Sequence, residues 1–167
     1  SNNPATVVMP TGTGKTETMI ATVVSEMVKR TLVIVPSHLL RQQTVSKFLS
    51  FGVLQKIGII NDKAQYPSVT LLKSAPKTKE DLEYFVSHSN IIVTTMSLLK
   101  GFTDEFFSVL NNTIDAVIVD EAHHIAAKSW SSVKYKLRGA KCLQFTATPF
   151  RNDGKKMDGK IIYNFPL

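Results

Sequence analysis

The chain has 167 residues and a mass of 18.5 kDa, enough for one ordinary domain and too little for two. Its 43% hydrophobic and 20% charged residues exclude a disordered tail, and its apolar runs are too short to span a membrane. The formal charge of +7 is localised: residues 1–127 carry eleven basic and eleven acidic side chains, whereas residues 128–160 carry nine Lys/Arg against Asp153 and Asp158. A polyanionic partner and a solvated basic face both fit that stretch. Cys142 is the one cysteine, so no intramolecular disulfide can form, and no signal-peptide pattern opens the chain. Both features point to a reducing, cytoplasmic setting.

Short β-branched runs alternate with amphipathic stretches along the chain. Thr6–Met9 predicts a first strand, and Lys15–Lys29 a helix with Ile20, Val23, Val24, Met27 and Val28 on one face. Leu32–Val35 predicts a strand, Ser37–Leu49 a helix opened by a capping serine, and Ile57–Ile60 a further strand. Residues 61–77 are the least regular part: Pro67 and Pro76 flank the short Val69–Leu72 run, which fits a hairpin or a surface excursion. Then follow a helix at Lys79–Ser87, strands at Ile91–Thr94 and Ala116–Val119, a helix at Ser129–Leu137, and strands at Leu143–Phe145 and Ile161–Phe165. Most of the strand runs are apolar throughout, as in strands buried on both faces, and the strand–helix alternation predicts an α/β fold around a parallel sheet. The lone tryptophan, Trp130, reads as a helix-packing residue rather than a base-stacking platform.

Two segments carry the chemistry. Pro10-Thr11-Gly12-Thr13-Gly14-Lys15-Thr16 lies between a predicted strand and a predicted helix, the context in which a glycine-rich loop binds phosphate. Gly12 and Gly14 let backbone N–H groups turn inward, the helix start adds partial positive charge, Lys15 supplies a point charge for phosphates, and the Thr16 hydroxyl is placed for Mg²⁺. Met9 stands where the usual pattern begins with glycine. The second segment, Ala116-Val117-Ile118-Val119, ends in Asp120 and Glu121. Ligands of parallel sheets bind beyond the carboxyl ends of strands, so the two motifs are expected on one edge. There Asp120 fits a metal-binding role and Glu121 the orientation of an attacking water. His123 and His124 lack Cys or His partners at ligand spacing, so zinc is not expected.

These residues resemble a known pattern. Pro10–Thr16 and Asp120-Glu121-Ala122-His123 are similar to motifs I and II of superfamily-two helicases and translocases in the DEAH-box form. Val33–Ser37 with Leu40 and Gln43 resembles motif Ia, Ile92–Thr95 motif Ib, and Thr146-Ala147-Thr148-Pro149 motif III. The extension Phe150–Gly154 resembles the type III restriction-enzyme-like branch. The resemblance implies a three-layer RecA-like P-loop NTPase domain over residues 1–167, with a central, mostly parallel sheet. It implies ATP held by Pro10–Thr16, Mg²⁺ by Thr16 and Asp120, and catalysis by Lys15, Asp120, Glu121 and His123. His123 would sense the γ-phosphate and relay it to the coupling residues Thr146 and Thr148. Ser37, Thr94 and Thr95 would touch a nucleic-acid backbone, with double-stranded DNA favoured over RNA. A second RecA-like domain of the same parent chain is expected beyond Leu167, so this chain reads as half of a two-domain motor with very low activity alone. The alternative is a non-motor P-loop regulatory or transferase module.

Overall fold

The computed structural model describes residues 3–150 and 154–166. Strands β1 (Ala5–Val8), β2 (Thr31–Val35), β3 (Val69–Leu71), β4 (Ile91–Thr95), β5 (Ala116–Val119), β6 (Lys141–Thr146) and β7 (Lys160–Asn164) form one sheet in the order β3-β4-β2-β5-β6-β1-β7. All pairings between these strands are parallel. The crossovers run through α1 (Lys15–Ser25), α2 (His38–Ser50), α3 (Lys79–Ser87), α4 (Met96–Leu99), α5 (Asp104–Thr113) and α6 (Ala127–Lys136). No helix among the described residues is long and apolar enough to cross a membrane.

Successive strand residues point to opposite faces, and β2 shows the consequence. Leu32 and Ile34 enter a core beneath α3, α5 and α6, with Leu82, Leu110 and Trp130. Val33 and Val35 enter the opposite core with Met19, Ile20 and Phe48 of α1 and α2. Burial on both sides, at about 1.5–3 kcal/mol per large aliphatic side chain, explains the uninterrupted Leu32–Val35 run of β2 and the Ile91–Val93 run that opens β4. Trp130 is buried in the helix-packed core, as its position in the sequence suggested.

Several elements differ from the sequence expectation. Ile57–Ile60 is a series of turns, with Ile57 and Ile59 exposed and Gly58 at φ +74°; the third strand is Val69–Leu71 instead, paired with β4. The first helix stops at Ser25 rather than Lys29, because Met27 adopts φ +47°, and this turns Met27 into solvent instead of onto the apolar face. Helices α4 and α5 fall in a stretch given no element by periodicity; the threonine caps Thr95 and Thr103 start them. Residues Arg151, Asn152 and Asp153 of the extension lie outside the described residues.

Candidate nucleotide-binding site

In the sheet order, β6 lies between β5 and β1, so the loops after β1 and β5 flank the carboxyl end of β6. The glycine loop leaves β1 through a turn in which the Thr13 N–H and hydroxyl both donate to the Pro10 carbonyl, at 3.3 and 2.6 Å. Gly12 and Gly14 have φ of +83° and +91°, and a Cβ built on either meets nothing within 4 Å. The glycines are therefore needed for backbone conformation, and the concavity they border is open to a ligand. Gly14 is the N-cap of α1 and brings no side-chain acceptor, so the first-turn N–H groups have no side-chain partner from the cap. Met9, the departure from the usual glycine, is a buried core residue whose N–H donates to the Thr146 carbonyl at 2.8 Å. This position has no need of left-handed backbone, and a large apolar side chain is accommodated.

Lys15 is buried at the head of α1, and its Nζ reaches Glu121 Oε1 at 2.8 Å and the Met9 carbonyl at 3.2 Å. The lysine of the phosphate loop is thus held by the carboxylate of the acidic turn. Asp120 is buried beside it, and its Oδ1 accepts the Glu121 N–H at 2.9 Å. Burial, and then the neighbouring Glu121 charge, raise the Asp120 pKa to about 6 against the opposing pull of Lys15. Glu121 itself sits in the left-handed region at φ +47°, an uncommon conformation for a non-glycine residue, and its Oε2 is buried with no hydrogen-bond partner.

His123 Nδ1 lies 2.9 Å from Thr146 Oγ1 and 3.4 Å from Glu121 Oε2. The single Thr146 hydroxyl proton goes to the Thr148 carbonyl at 2.8 Å, while the same oxygen accepts the Thr148 N–H at 3.3 Å. Nδ1 must therefore be the donor toward Thr146, which fixes the tautomer with the proton on Nδ1. Burial, followed by the charge of His124, lowers the His123 pKa and keeps the ring neutral at neutral pH. Polar contacts thus run from Lys15 to Glu121 and from His123 through Thr146 to Thr148, and the two segments meet in a 3.4 Å electrostatic contact between Glu121 Oε2 and His123 Nδ1 rather than a hydrogen bond.

The remaining sequence-read residues are placed differently. Thr11 is exposed on the loop and Thr16 is half-buried in the first turn of α1. Ser37 is exposed and caps α2, its Oγ accepting the Leu40 N–H at 3.3 Å. Thr94 and Thr95 are fully buried rather than presented to a ligand. The Thr94 hydroxyl has no partner, and the Thr95 hydroxyl accepts the Leu98 N–H to cap α4. Sequence reasoning missed Lys47, whose Nζ meets Glu17 Oε1 at 2.7 Å and fastens α2 to the first turn of α1. Burial pushes Glu17 up, but the hydrogen bond and charge of Lys47 outweigh it and leave its pKa lowered. No sequence signal identifies that pair, because its partners are thirty residues apart.

The residues fit a phosphate chain with Mg²⁺. Among the described residues no group of three or more His, Cys, Asp or Glu could cage a metal by itself. Mg²⁺ needs no such cage, since it commonly takes one or two carboxylates together with phosphate oxygens. The open concavity at Gly12 and Gly14, the inward lysine and the buried Asp120 carboxyl beside it match that donor set.

The model of the family described as type III restriction enzyme, res subunit, matches residues 1–151. An Acanthamoeba polyphaga mimivirus protein whose name describes an ATP-dependent RNA helicase is 28% identical over 149 residues, covering 89% of this chain and 24% of its own length. The DNA 3'-5' translocase XPB2 of Sulfurisphaera tokodaii is 30% identical over 165 residues, covering 94% of this chain and 31% of its own. The chain therefore spans a quarter to a third of those curated relatives. The UvsW helicase of bacteriophage T4 has the same fold, with a TM-score of 0.65 at 18% identity over 97% of this chain and 54% of that one. Since the family match takes in all three strand ends that build the site, the chain belongs to the type III restriction enzyme res-subunit family, and it has the RecA-like fold of helicase domains.

Proposed function

We propose that the chain is the ATP-binding motor domain of a DEAH-box DNA helicase or translocase, using ATP and Mg²⁺ and acting with a second RecA-like domain of its parent protein. The observation that carries this reading is the polar chain from Lys15 through Glu121 and His123 to Thr146. Pro10–Thr16 would hold the phosphates, and Thr16 and Asp120 the metal. Bound Mg²⁺ would neutralise phosphate charge during transfer. Phosphate oxygens arriving at Lys15 compete with Glu121 for the ammonium, and freeing Glu121 leaves a buried carboxylate able to orient water. A direct contact of His123 with a phosphate oxygen would require a proton on Nε2. With the proton on Nδ1, His123 instead senses the state of Glu121 and passes it to Thr146 and Thr148.

Double-stranded DNA is favoured by the resemblance of the Thr146–Gly154 segment to DNA-acting proteins. The relatives named above include both an RNA helicase and a DNA translocase. We assign the protein to a reducing cytoplasmic compartment. Cys142 is free, and burial pushes its thiol up to about 12, so it is a poor nucleophile for disulfide exchange.

Fluorescent ATP-analogue titration in Mg²⁺ tests the nucleotide site. Lys15→Ala is expected to weaken binding by about tenfold or more, equivalent to at least about 1.4 kcal/mol. ATP turnover by the chain alone is expected to be very slow, because arginine fingers from a second domain are worth a factor of about 10³ or more. Rapid turnover abolished by Lys15→Ala would overturn that part of the reading. A parent protein whose ATPase ignores both DNA and RNA would favour a regulatory or transferase module.

A further inference from the structure

The basic excess of residues 128–160 includes a built groove. Lys128, Ser132 and Lys136 recur every four residues and share one face of α6. Across a cavity of about 300 Å³ they meet Lys100, the residue at which α4 ends, and Ser129 and the buried Leu99 and Phe107 also line it. Topology sets this cavity toward the carboxyl edge of the sheet. Helix α4 follows β4 directly and is capped by Thr95, and α6 follows β5 through the short turn Ala122–His124. Strand β2, which leads through Pro36 to the exposed cap Ser37, lies between β4 and β5.

The charges in the groove are not balanced. Lys136 is held by Asp104 at 2.7 Å and covers the Phe107 ring, whereas Lys100 and Lys128 have no carboxylate partner among the described residues. Helix α6 also starts at Ala126 with no side-chain cap, so no cap side chain satisfies its first-turn N–H groups. Two unpaired ammonium groups, serine hydroxyls and an uncapped helix start are together arranged for an anion.

We propose that this groove binds a phosphodiester of a nucleic-acid backbone, with Lys100 and Lys128 as its principal contacts; the inference rests on the nucleic-acid motor reading above. Lysines are point charges without the planar fork that reads carboxylates or bases, and hydroxyls hold phosphate oxygens without sequence preference. The one aromatic ring in the lining, Phe107, is buried and offers no stacking face, which excludes a splayed base. The edge shared with Ser37 gives a backbone a second contact, and Thr95, which the sequence suggested as the contact itself, instead positions the helix that ends at Lys100.

The test is fluorescence anisotropy of labelled duplex DNA with the chain, over a salt range of about 50–200 mM. A Lys100→Gln/Lys128→Gln double variant is expected to bind about tenfold more weakly at low salt, with a slope of log K against log salt smaller by about two. A Lys100→Arg/Lys128→Arg variant is expected to retain both values, and unchanged far-UV circular dichroism shows that the variants fold. A double Gln variant with the wild-type slope would overturn the groove and leave the motor reading intact. Wild-type binding of polyglutamate equal to that of DNA, and lost in the same variant, would also overturn it by making the groove an acidic-protein site. Absence of duplex binding by the wild-type chain would remove both this inference and the nucleic-acid part of the proposed function, but not its nucleotide part.

Discussion

Asp120 holds a carboxyl that burial and Glu121 keep at a pKa of about 6, against an ordinary value of 3.8. Between those values the folded chain binds a proton that the unfolded chain has released. Stability contributed by this group is therefore greatest below pH 3.8 and is lost as pH rises toward 6. Keeping this buried carboxylate ionised at neutral pH costs about 3 kcal/mol. Asp120→Asn keeps the oxygen that accepts the Glu121 N–H and removes the charge. It is expected to raise urea-unfolding stability at neutral pH by about 1–3 kcal/mol and to abolish Mg²⁺-dependent nucleotide binding. A less stable variant would show that Asp120 is held for structural reasons. At this scale the sequence singled out Lys15, Asp120, Glu121 and His123 as candidates, because phosphate and metal chemistry calls for those residue types at strand ends. It could not reveal that Lys15 grips Glu121, or that Thr146 fixes the His123 tautomer, since both are contacts between distant segments.

Strand β7 is the element whose attachment depends most on one backbone position. Gly159 precedes it at φ +99°, and a Cβ there would come within 2.1 Å of the Pro4 carbonyl, which accepts the Lys160 N–H at 2.9 Å. The adjacent Asp158 carbonyl accepts the buried Gln144 amide at 2.9 Å, which ties the same turn to β6. Gly159→Ala combines a left-handed penalty with a backbone clash and is expected to cost about 2–4 kcal/mol. Hydrogen exchange should show Lys160–Asn164 losing protection before the central strands do; uniform loss across the sheet would contradict the local role. Element prediction worked where burial is two-sided, at β2, β4 and β5, and at helices with clear caps such as Lys79–Ser87. It failed at Ile57–Ile60, where three isoleucines around Gly58 have no neighbouring strand to pair with and Gly58 turns the chain at φ +74°. The four-residue α4 is too short for a period to show, whereas α5 does carry helical spacing in its sequence, with Phe106, Phe107, Val109 and Leu110 following the cap Thr103.

At the scale of the molecule, a ligand that binds only the folded state stabilises all of it. MgATP at about 100 times its dissociation constant would add about 2.7 kcal/mol. For a chain of this size that is a rise of about 5–10 °C in Tm, measurable by scanning fluorimetry. Lys15→Ala is expected to abolish the rise; an equal rise in that variant would place the nucleotide elsewhere. The sequence by itself determined the class of the fold and marked the glycine loop and the acidic turn as candidates for phosphate and metal binding. Alternating strand and helix patterns report burial, and phosphate and metal binding restrict the residue types that can act. Only the tertiary structure decided the strand order that brings the ends of β1, β5 and β6 together, and with it the Lys15–Glu121–His123–Thr146 chain. It also decided how the basic stretch is neutralised, pairing Lys136 with Asp104 while leaving Lys128, with Lys100 across the same groove, without a carboxylate partner among the described residues. Charge can be counted along a chain, but its neutralisation depends on which side chains the packing of helices makes neighbours.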